Sequence, residues 1–197
     1  MMAESCLVDA QAETTNDRNK RTDLELIAAI NGGDSEAFEA LYLRYRDWVT
    51  ALACRFTNDN DLALDVLQET FLYFLKKFPG FVLTAQLKTF LYPVVKNLSI
   101  AARRKTQRHQ SNESELAALE QTPTAETAPT STNDLPIMLA SLPAEQREVL
   151  LLRFVDNLSL NEIAEAMEIP LGTVKSRLHN ALSSLRADPR TKSFFDQ

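Results

Sequence analysis

The 197-residue chain carries 21 Lys and Arg against 27 Asp and Glu, which gives a formal net charge of −6. Its 45% hydrophobic and 24% charged residues are typical of a globular protein, and its two cysteines exclude a disulfide framework or a Cys-rich zinc site. No apolar run reaches the ~20 residues of a membrane span, and the first residues lack the pattern of a signal peptide. We therefore expect a cytoplasmic protein without a membrane span. The net charge taken alone argues against binding to a polyanion such as DNA.

The distribution of charge along the chain changes that interpretation. Residues 23–69 contain three cationic and ten acidic side chains, whereas residues 70–110 contain eight cations and no acid. The same stretch of 70–110 holds seven of the fifteen aromatic residues. Because cations contact phosphates and aromatic rings stack on bases, this combination is typical of a nucleic-acid surface. A solvated basic face over an aromatic core is the alternative interpretation.

Four glycines and long apolar periodicity predict an all-α protein. A first helix begins at the capping-box pattern Thr22–Glu25 and ends at Gly32 and Gly33. The second helix starts at Asp34, and its apolar positions at steps of three and four are Phe38, Leu41, Tyr42, Tyr45, Trp48, Val49, Leu52 and Phe56. The third starts near Asp59. Its predicted core stripe is Ala63, Val66, Leu67, Phe71, Phe74 and Phe78, and its opposite edge is Asp65, Gln68, Glu69 and Leu72.

A fourth helix is predicted from about Ala85, capped by Thr84, to about Arg108. Pro93 lies inside it and is expected to kink its axis. At 100° per residue, one stripe within roughly 80° consists of Lys88, Tyr92, Lys96, Ser99 and Arg103. A different side, predicted to face the core, consists of Leu87, Leu91, Val94 and Leu98. The cations therefore lie along one face of the predicted helix and are not distributed around it.

Residues 23–110 form the first predicted domain, and residues 135–187 form the second. Between them, residues 111–134 contain five acids and no cation, and their Thr, Pro, Ala, Ser and Glu content predicts a flexible linker. The ends, 1–22 and 188–197, are expected to be disordered.

In the second domain, a helix is predicted over Ala144–Val155, with Pro143 at a first helical position. Its predicted buried residues are Val149, Leu150, Leu152 and Phe154. A capping box at Ser159–Glu162 starts a short helix. The last helix runs from Leu171 to about Arg186, with Val174, Leu178, Ala181 and Leu185 facing inward. A short helix, a turn and a helix with a cationic exposed face are the pattern of a helix-turn-helix.

An enzymatic function has little support. His109 and His179 have no second histidine or cysteine at metal-ligand spacing, and the chain contains no glycine-rich phosphate loop and no GxSxG motif. Asp65 and Glu69 share a helix face, which favours a solvated or partner-binding edge over a catalytic pair. We expect no catalytic residues, no metal and no cofactor.

Two blocks of motifs carry a family resemblance. The first contains DVLQETF at Asp65–Phe71 and LKTFLYPVVKN at Leu87–Asn97, followed by AARRK up to Lys105. The second contains LPAEQREV from residue 142, SLNEIAE from residue 159 and IPLGTVKSRLH from residue 169. In this order they resemble the extracytoplasmic-function (ECF) sigma factors of bacterial RNA polymerase. The resemblance covers roughly residues 23–187, and it implies two helical domains, the second a helix-turn-helix.

The resemblance implies a sigma factor that binds core RNA polymerase and directs promoter-specific initiation. The residues implied to bind the core enzyme are Asp65, Gln68, Glu69 and Leu72. Those implied to melt and read the minus-ten element are Phe81, or another side chain of the loop 78–84 that would capture a base, and Lys88, Tyr92, Lys96, Asn97, Arg103 and Arg104. Those implied to read the minus-thirty-five element are Thr173, Lys175, Ser176 and His179, with Arg177 nearer the DNA backbone. The implied partners are core RNA polymerase, promoter DNA and an anti-sigma factor, and the free protein is expected to be a monomer.

Several positions depart from the family pattern. They are Phe90 and Pro93 in place of Trp and Arg, Ala101 in place of an acid, Glu168 in place of the turn glycine, and Asn180 and Leu182 in place of basic residues. These changes thin the cationic contacts of both DNA-facing helices. They leave open a sigma mimic that sequesters an anti-sigma factor, although the cationic stripe argues against it. A conventional helix-turn-helix regulator with a sensor domain is a third hypothesis. It is less favoured because it assigns no function to the stretch 70–110.

Overall fold

The computed structural model describes residues 21–117 and 134–188, and side chains within 21–108 and 138–188. Throughout these described ranges the regular secondary structure is α-helical, in eight helices. The predicted all-α class is therefore confirmed. The chain divides into two compact units between Glu113 and Ser114. Of the predicted segments, 1–20, 118–133 and 189–197 lie outside the described residues.

The first unit contains four helices: α1 (Asp23–Asn31), α2 (Ser35–Thr57), α3 (Asn60–Leu75) and α4 (Leu87–Ala117). Side chains cap the first three as the sequence predicts. Thr22 and Glu25 form a reciprocal capping box, in which the Thr22 backbone N–H donates to the Glu25 carboxylate and lowers the pKa of that group. Asp34 caps α2 and Asp59 caps α3, each accepting two backbone N–H bonds.

The core of the first unit lies between α2, α3 and α4. Its fully buried side chains include Leu41, Leu52, Phe74, Leu87 and Leu91. A second set of contacts joins α1 to α2, where Asp23 accepts from Arg44 at 2.6 Å and also from the Tyr45 hydroxyl. Burial, and then the bond to Asp23, raises the pKa of Tyr45.

The limits of α3 and α4 differ from the prediction. Helix α3 ends at Leu75, so Phe78 lies in the following loop, where its ring packs 5.1 Å from Phe74. Helix α4 begins at Leu87, and the predicted start near Ala85 with a Thr84 cap is wrong, because residues 81–86 lie outside the helix. We call the segment between the two helices, residues 76–86, the connecting loop.

Helix α4 also continues past Arg108 to Ala117. The first seven residues of the predicted linker are therefore helical. The segment 111–117 contains Glu, Leu and Ala and neither glycine nor proline, so its intrinsic preference favours continuation of the helix. Pro93 lies within α4, as predicted.

The second unit contains α5 (Asp134–Ser141), α6 (Ala144–Phe154), α7 (Leu160–Ala166) and α8 (Leu171–Ala187). Ser159 and Glu162 form the predicted capping box at α7. Pro143 occupies the capping position of α6, one residue before the predicted place. Helices α7 and α8 pack against each other and on α6, which is the helix-turn-helix arrangement.

The core of the second unit includes a cluster formed by Leu142, Leu150 and Ala181, with Leu139, Leu178, Leu182 and Leu185 packed against it. Phe154 is 58% exposed, and its predicted burial is wrong. It is the last residue of α6, and after the following turn the fully buried Leu158 contributes to the core instead. None of the described helices combines the length and apolarity that a membrane crossing requires.

Candidate functional surfaces

The four residues implied to bind the core enzyme share one exposed face of α3. They are Asp65, Gln68, Glu69 and Leu72, and Leu72 is 55% exposed although it is a large apolar residue. The opposite side of the same helix is buried in the core, including Val66, Leu67 and Phe74. The packing of α3 therefore turns two carboxylates and an apolar side chain outward together.

This face forms one wall of a groove of about 530 Å³. The other wall is the second half of α4, with Leu98, Ala101, Ala102, Lys105 and Thr106. We call this feature the α3–α4 groove. It combines carboxylates, a lysine and apolar side chains, so it can accept an amphipathic segment with cations on one edge. Ala101, one of the departures from the family pattern, lies in this groove.

The cations of α4 pack beside aromatic rings. The Lys88 Nζ lies 5.6 Å from the ring centre of Trp48, and the Lys96 Nζ lies 5.8 Å from that of Phe56. The Arg103 Nη1 donates to the backbone carbonyl of Phe56 at 3.1 Å. Aromatic faces attract cations, so Trp48 and Phe56 of α2 orient the cations of the predicted stripe. We call these three cationic side chains with their two rings the cation edge.

Tyr92 does not belong to the exposed part of that stripe. Its side chain is 1% exposed, and its hydroxyl has no hydrogen-bond partner among the described residues. The tyrosine that the resemblance places at the DNA is therefore buried in this structure. The reason is that α4 is rotated about its axis relative to the orientation predicted from the sequence. Its most buried positions are Leu87, Leu91, Tyr92, Val95 and Ser99. Val94 and Leu98, for which the spacing predicts a place in the core, are only half-buried.

Phe81 belongs to an aromatic cluster of the connecting loop. Its ring centre lies 4.9 Å from that of Phe90, 5.2 Å from that of Phe74 and 5.6 Å from that of Phe78. The side chain is therefore half-buried and is packed against the domain. Asn97, Arg103 and Arg104, which follow on α4, are exposed.

In the second unit, the predicted reading residues lie on the first half of α8. Lys175, Ser176 and His179 are exposed, and Thr173 is half-buried. The Ser176 hydroxyl donates to the carbonyl of Thr173 at 3.0 Å. Arg177 donates to the Glu145 carboxylate of α6. The outer side of α8 thus brings together most of the predicted residues, while Arg177 also holds α8 to α6.

Candidate metal ligands are dispersed in the part of the chain that the structure describes. No group of three or more His, Cys, Asp or Glu side chains there could hold a metal ion. The exposed charged side chains of these surfaces are carboxylates on α3 and cations on α4 and α8.

Comparison with known proteins agrees with the division of the chain into two units. Residues 41–109 match the family model "Sigma-70 region 2", and residues 138–187 match "Sigma-70, region 4". The ECF RNA polymerase sigma factor SigW of Bacillus subtilis (strain 168) is 30% identical over 177 residues, which cover 83% of this chain and 95% of the relative. The chain belongs to the ECF sigma factors. The ECF RNA polymerase sigma-E factor of Escherichia coli (strain K12) is also 30% identical, over 180 residues that cover 83% of this sigma factor and 92% of the relative.

Two solved structures share the fold of this sigma factor. CnrH, in complex with the cytosolic domain of CnrY, superposes with a TM-score of 0.60 at 21% identity, covering 84% of this chain and 95% of CnrH. The sigma factor RpoE of Bartonella quintana, in complex with the anti-sigma factor NepR, gives a TM-score of 0.56 at 24% identity, covering 77% of this chain and 98% of RpoE.

Sequence reasoning missed three side chains that support these surfaces. The sequence pattern gives Trp48 and Phe56 only as apolar helix positions, yet their rings lie beside Lys88 and Lys96. It gives Asn31 only as the end of a helix, yet Asn31 bonds to the connecting loop. For Trp48 and Phe56 the sequence does contain a signal, because their spacing along α2 matches the spacing of Lys88 and Lys96 along α4. Asn31 has none, because its partners lie about fifty positions away.

Proposed function

We propose that this sigma factor binds core RNA polymerase through the α3 side of the α3–α4 groove and promoter DNA through α4, the connecting loop and α8. The observation that carries this proposal is the separation of charge on the first unit. Carboxylates face outward on α3, whereas residues 70–110 supply only cations to the cation edge. The protein acts by binding, with no catalytic step of its own, in the cytoplasm.

Core binding is assigned to Asp65, Gln68, Glu69 and Leu72. An exposed leucine beside two carboxylates suits a partner helix with an apolar stripe and flanking cations, since the apolar contact contributes affinity and the charges contribute specificity. Ala101 leaves the opposite wall of the groove uncharged at that position. Its departure from the family pattern therefore bears on core binding more than on DNA binding.

Minus-ten binding is assigned to the cation edge with Asn97 and Arg104. The ammonium groups of Lys88 and Lys96 lie beside aromatic rings, so they are held near fixed positions where phosphates of a melted strand can lie. Arg103 is held by its bond to the Phe56 carbonyl. Tyr92 is omitted because it is buried, and its role is to pack beneath this edge.

Minus-thirty-five binding is assigned to Thr173, Lys175, Ser176 and His179 of α8. A helix with donors and acceptors at successive turns of its outer side fits the major groove and reads base edges there. Arg177, which also bonds to Glu145, is assigned to phosphate contact.

Regulation by an anti-sigma factor is part of the proposal. NepR is an anti-sigma factor bound to RpoE, which has the same fold as this chain. An inhibitor that covers the exposed leucine and carboxylates of α3 would compete with core polymerase for the same side chains. Until such a partner is bound, we expect the free protein to be a monomer.

Run-off transcription tests the assignment. Purified core polymerase and this protein are incubated with a promoter taken from upstream of the protein's own coding region, and binding to core is measured separately. We expect Glu69→Lys to weaken core binding about tenfold or more, because it places a cation in an otherwise acidic face. Asp47→Lys is the matched control, since Asp47 is an exposed acid of α2 outside the groove.

Two results would refute the proposal. The absence of both transcript and core binding for the wild-type protein would remove the sigma-factor activity. Core binding without any promoter-directed transcript would instead favour the sigma mimic.

A further inference from the structure

The connecting loop is tied to α1 by one side chain. The Nδ2 of Asn31 donates to the carbonyl oxygen of Phe81 at 2.9 Å. The backbone N–H of Gly80 donates to Oδ1 of the same amide at 2.6 Å. Loop backbone groups need partners from elsewhere when they are not in a helix, and here one amide supplies both a donor and an acceptor to adjacent residues.

The same two loop residues are fixed from inside the domain. The Phe81 ring packs within 6 Å of three other phenylalanine rings, so it anchors this part of the loop to the core. Gly80 has a φ of 104°, a conformation that residues with side chains rarely adopt. The backbone at 80–81 is therefore held by ring packing on one side and by Asn31 on the other.

This anchoring decides which loop residues face solvent. Val82 is 75% exposed and Thr84 is exposed, whereas Phe81 is turned inward. These two residues closely follow the anchored pair and precede α4, which carries Lys88. A nucleobase that leaves its stack would meet the Val82 and Thr84 side chains, because the Phe81 ring already packs against the aromatic cluster.

We propose that Asn31 is a positioning residue for minus-ten recognition, which holds the connecting loop so that Val82 and Thr84 present a fixed surface to an unstacked base. A loop held in advance loses less conformational freedom when the base binds, so affinity and base discrimination increase. This inference rests on the proposed function. It assigns a part in promoter reading to α1, which precedes the matched region 2 segment of residues 41–109.

The test compares Asn31→Leu and Asn31→Asp with wild type on promoters that differ at single minus-ten positions. Leucine removes both bonds, whereas aspartate keeps the acceptor for Gly80 and removes the donor to Phe81. We expect Asn31→Leu to lower transcription from the best promoter about tenfold and to flatten the preference among minus-ten bases, with a smaller effect for Asn31→Asp. The loss caused by a minus-thirty-five substitution and the affinity for core polymerase should stay unchanged.

Ser35→Asp controls for the added charge, because Ser35 is exposed at the start of α2 and lines the same surface groove as Asn31. It should behave as wild type. Unaltered minus-ten discrimination in both Asn31 variants would overturn the proposal, as would an equal loss of core binding, which indicates a merely structural role.

Hydrogen exchange on the free protein tests the anchor without any promoter. We expect the Gly80 amide to exchange about tenfold faster in Asn31→Leu than in wild type. Unchanged exchange overturns the proposal. Absence of any wild-type transcript refutes the proposed function instead, and the exchange result then decides whether Asn31 holds the loop.

Discussion

The two units hold the cations that we propose to contact DNA in different ways. In the first unit, Lys88 and Lys96 are half-buried beside aromatic rings, and Arg103 bonds to a backbone carbonyl. In the second unit, Lys175 is exposed on α8. A melted strand has no regular groove to align side chains. A surface that binds such a strand therefore gains affinity when its cationic side chains are already held in place. A helix in the major groove is aligned by the duplex itself, and its side chains can order on binding.

Arg177 lies between these two cases. Its side chain is only 22% exposed and donates to the 67% exposed carboxylate of Glu145. The pair joins α8 to the start of α6, so the cation is held, but by an acid that competes with phosphate. The comparison therefore predicts that removing or reversing a cation weakens promoter binding in either unit, whereas removing the acid that pairs with Arg177 strengthens it.

The largest expected effect is that of Lys96→Glu. Reversing a charge on the cation edge should lower promoter opening by about tenfold or more, because a fixed attraction to phosphate becomes a fixed repulsion. Core binding should survive, which a pull-down with core polymerase measures. Arg46→Glu, at an exposed cation of α2 outside the edge, serves as the control. Equal loss of opening and core binding in Lys96→Glu would contradict the division of roles.

A smaller effect is expected for Lys175→Ala. Removing one exposed cation from α8 should weaken binding to duplex promoter DNA several-fold and reduce the slope of log affinity against log salt by about one. Binding titrations at several salt concentrations check both values. If the loss is confined to one minus-thirty-five base, Lys175 contacts a base edge and not a phosphate.

An increase in affinity is expected for Glu145→Gln. The substitution removes the acid that competes for Arg177, so affinity for duplex promoter DNA should rise about twofold. Because the pair is partly exposed, the free energy of unfolding should fall by less than about 1 kcal/mol. A loss of DNA affinity would show that Arg177 contacts DNA only when Glu145 orients it.

The smallest effect is expected for Tyr92→Phe. The hydroxyl is buried and unpartnered among the described residues, so its removal should leave the free energy of unfolding unchanged or raise it by up to about 1 kcal/mol. Denaturant unfolding measures this change. A fall of more than about 1 kcal/mol would mean that the hydroxyl has a partner in solution. Transcription should not change, since the ring remains.

Local signals predict most of the fold. Side-chain caps at Thr22, Asp34 and Ser159 act within three residues, so the starts of α1, α2 and α7 follow from the sequence alone. Apolar spacing likewise places the outward face of α3 opposite its buried stripe. Helical periodicity is therefore sufficient to locate the face implied to bind core polymerase.

The errors came from long-range packing. The start of α4 depends on the connecting loop, which contacts in the first unit hold outside the helix, and Asn31 contributes from about fifty residues away. Tyr92 lies at the border between the cationic stripe and the apolar side, and only the packing against α2 decides which way it turns. Phe154 fits the apolar spacing of its helix, but it is exposed because it is the last residue of that helix.

The length of α4 has a mechanical consequence. At 1.5 Å per residue its 31 residues extend about 46 Å, and this one rod forms both a wall of the α3–α4 groove and most of the cation edge. A ligand that widens the groove displaces α4, the helix that carries Lys96 and Arg103. Tilting the helix would displace those charges together, so we expect an inhibitor bound in the groove to weaken the proposed phosphate contacts without itself contacting Lys96 or Arg103.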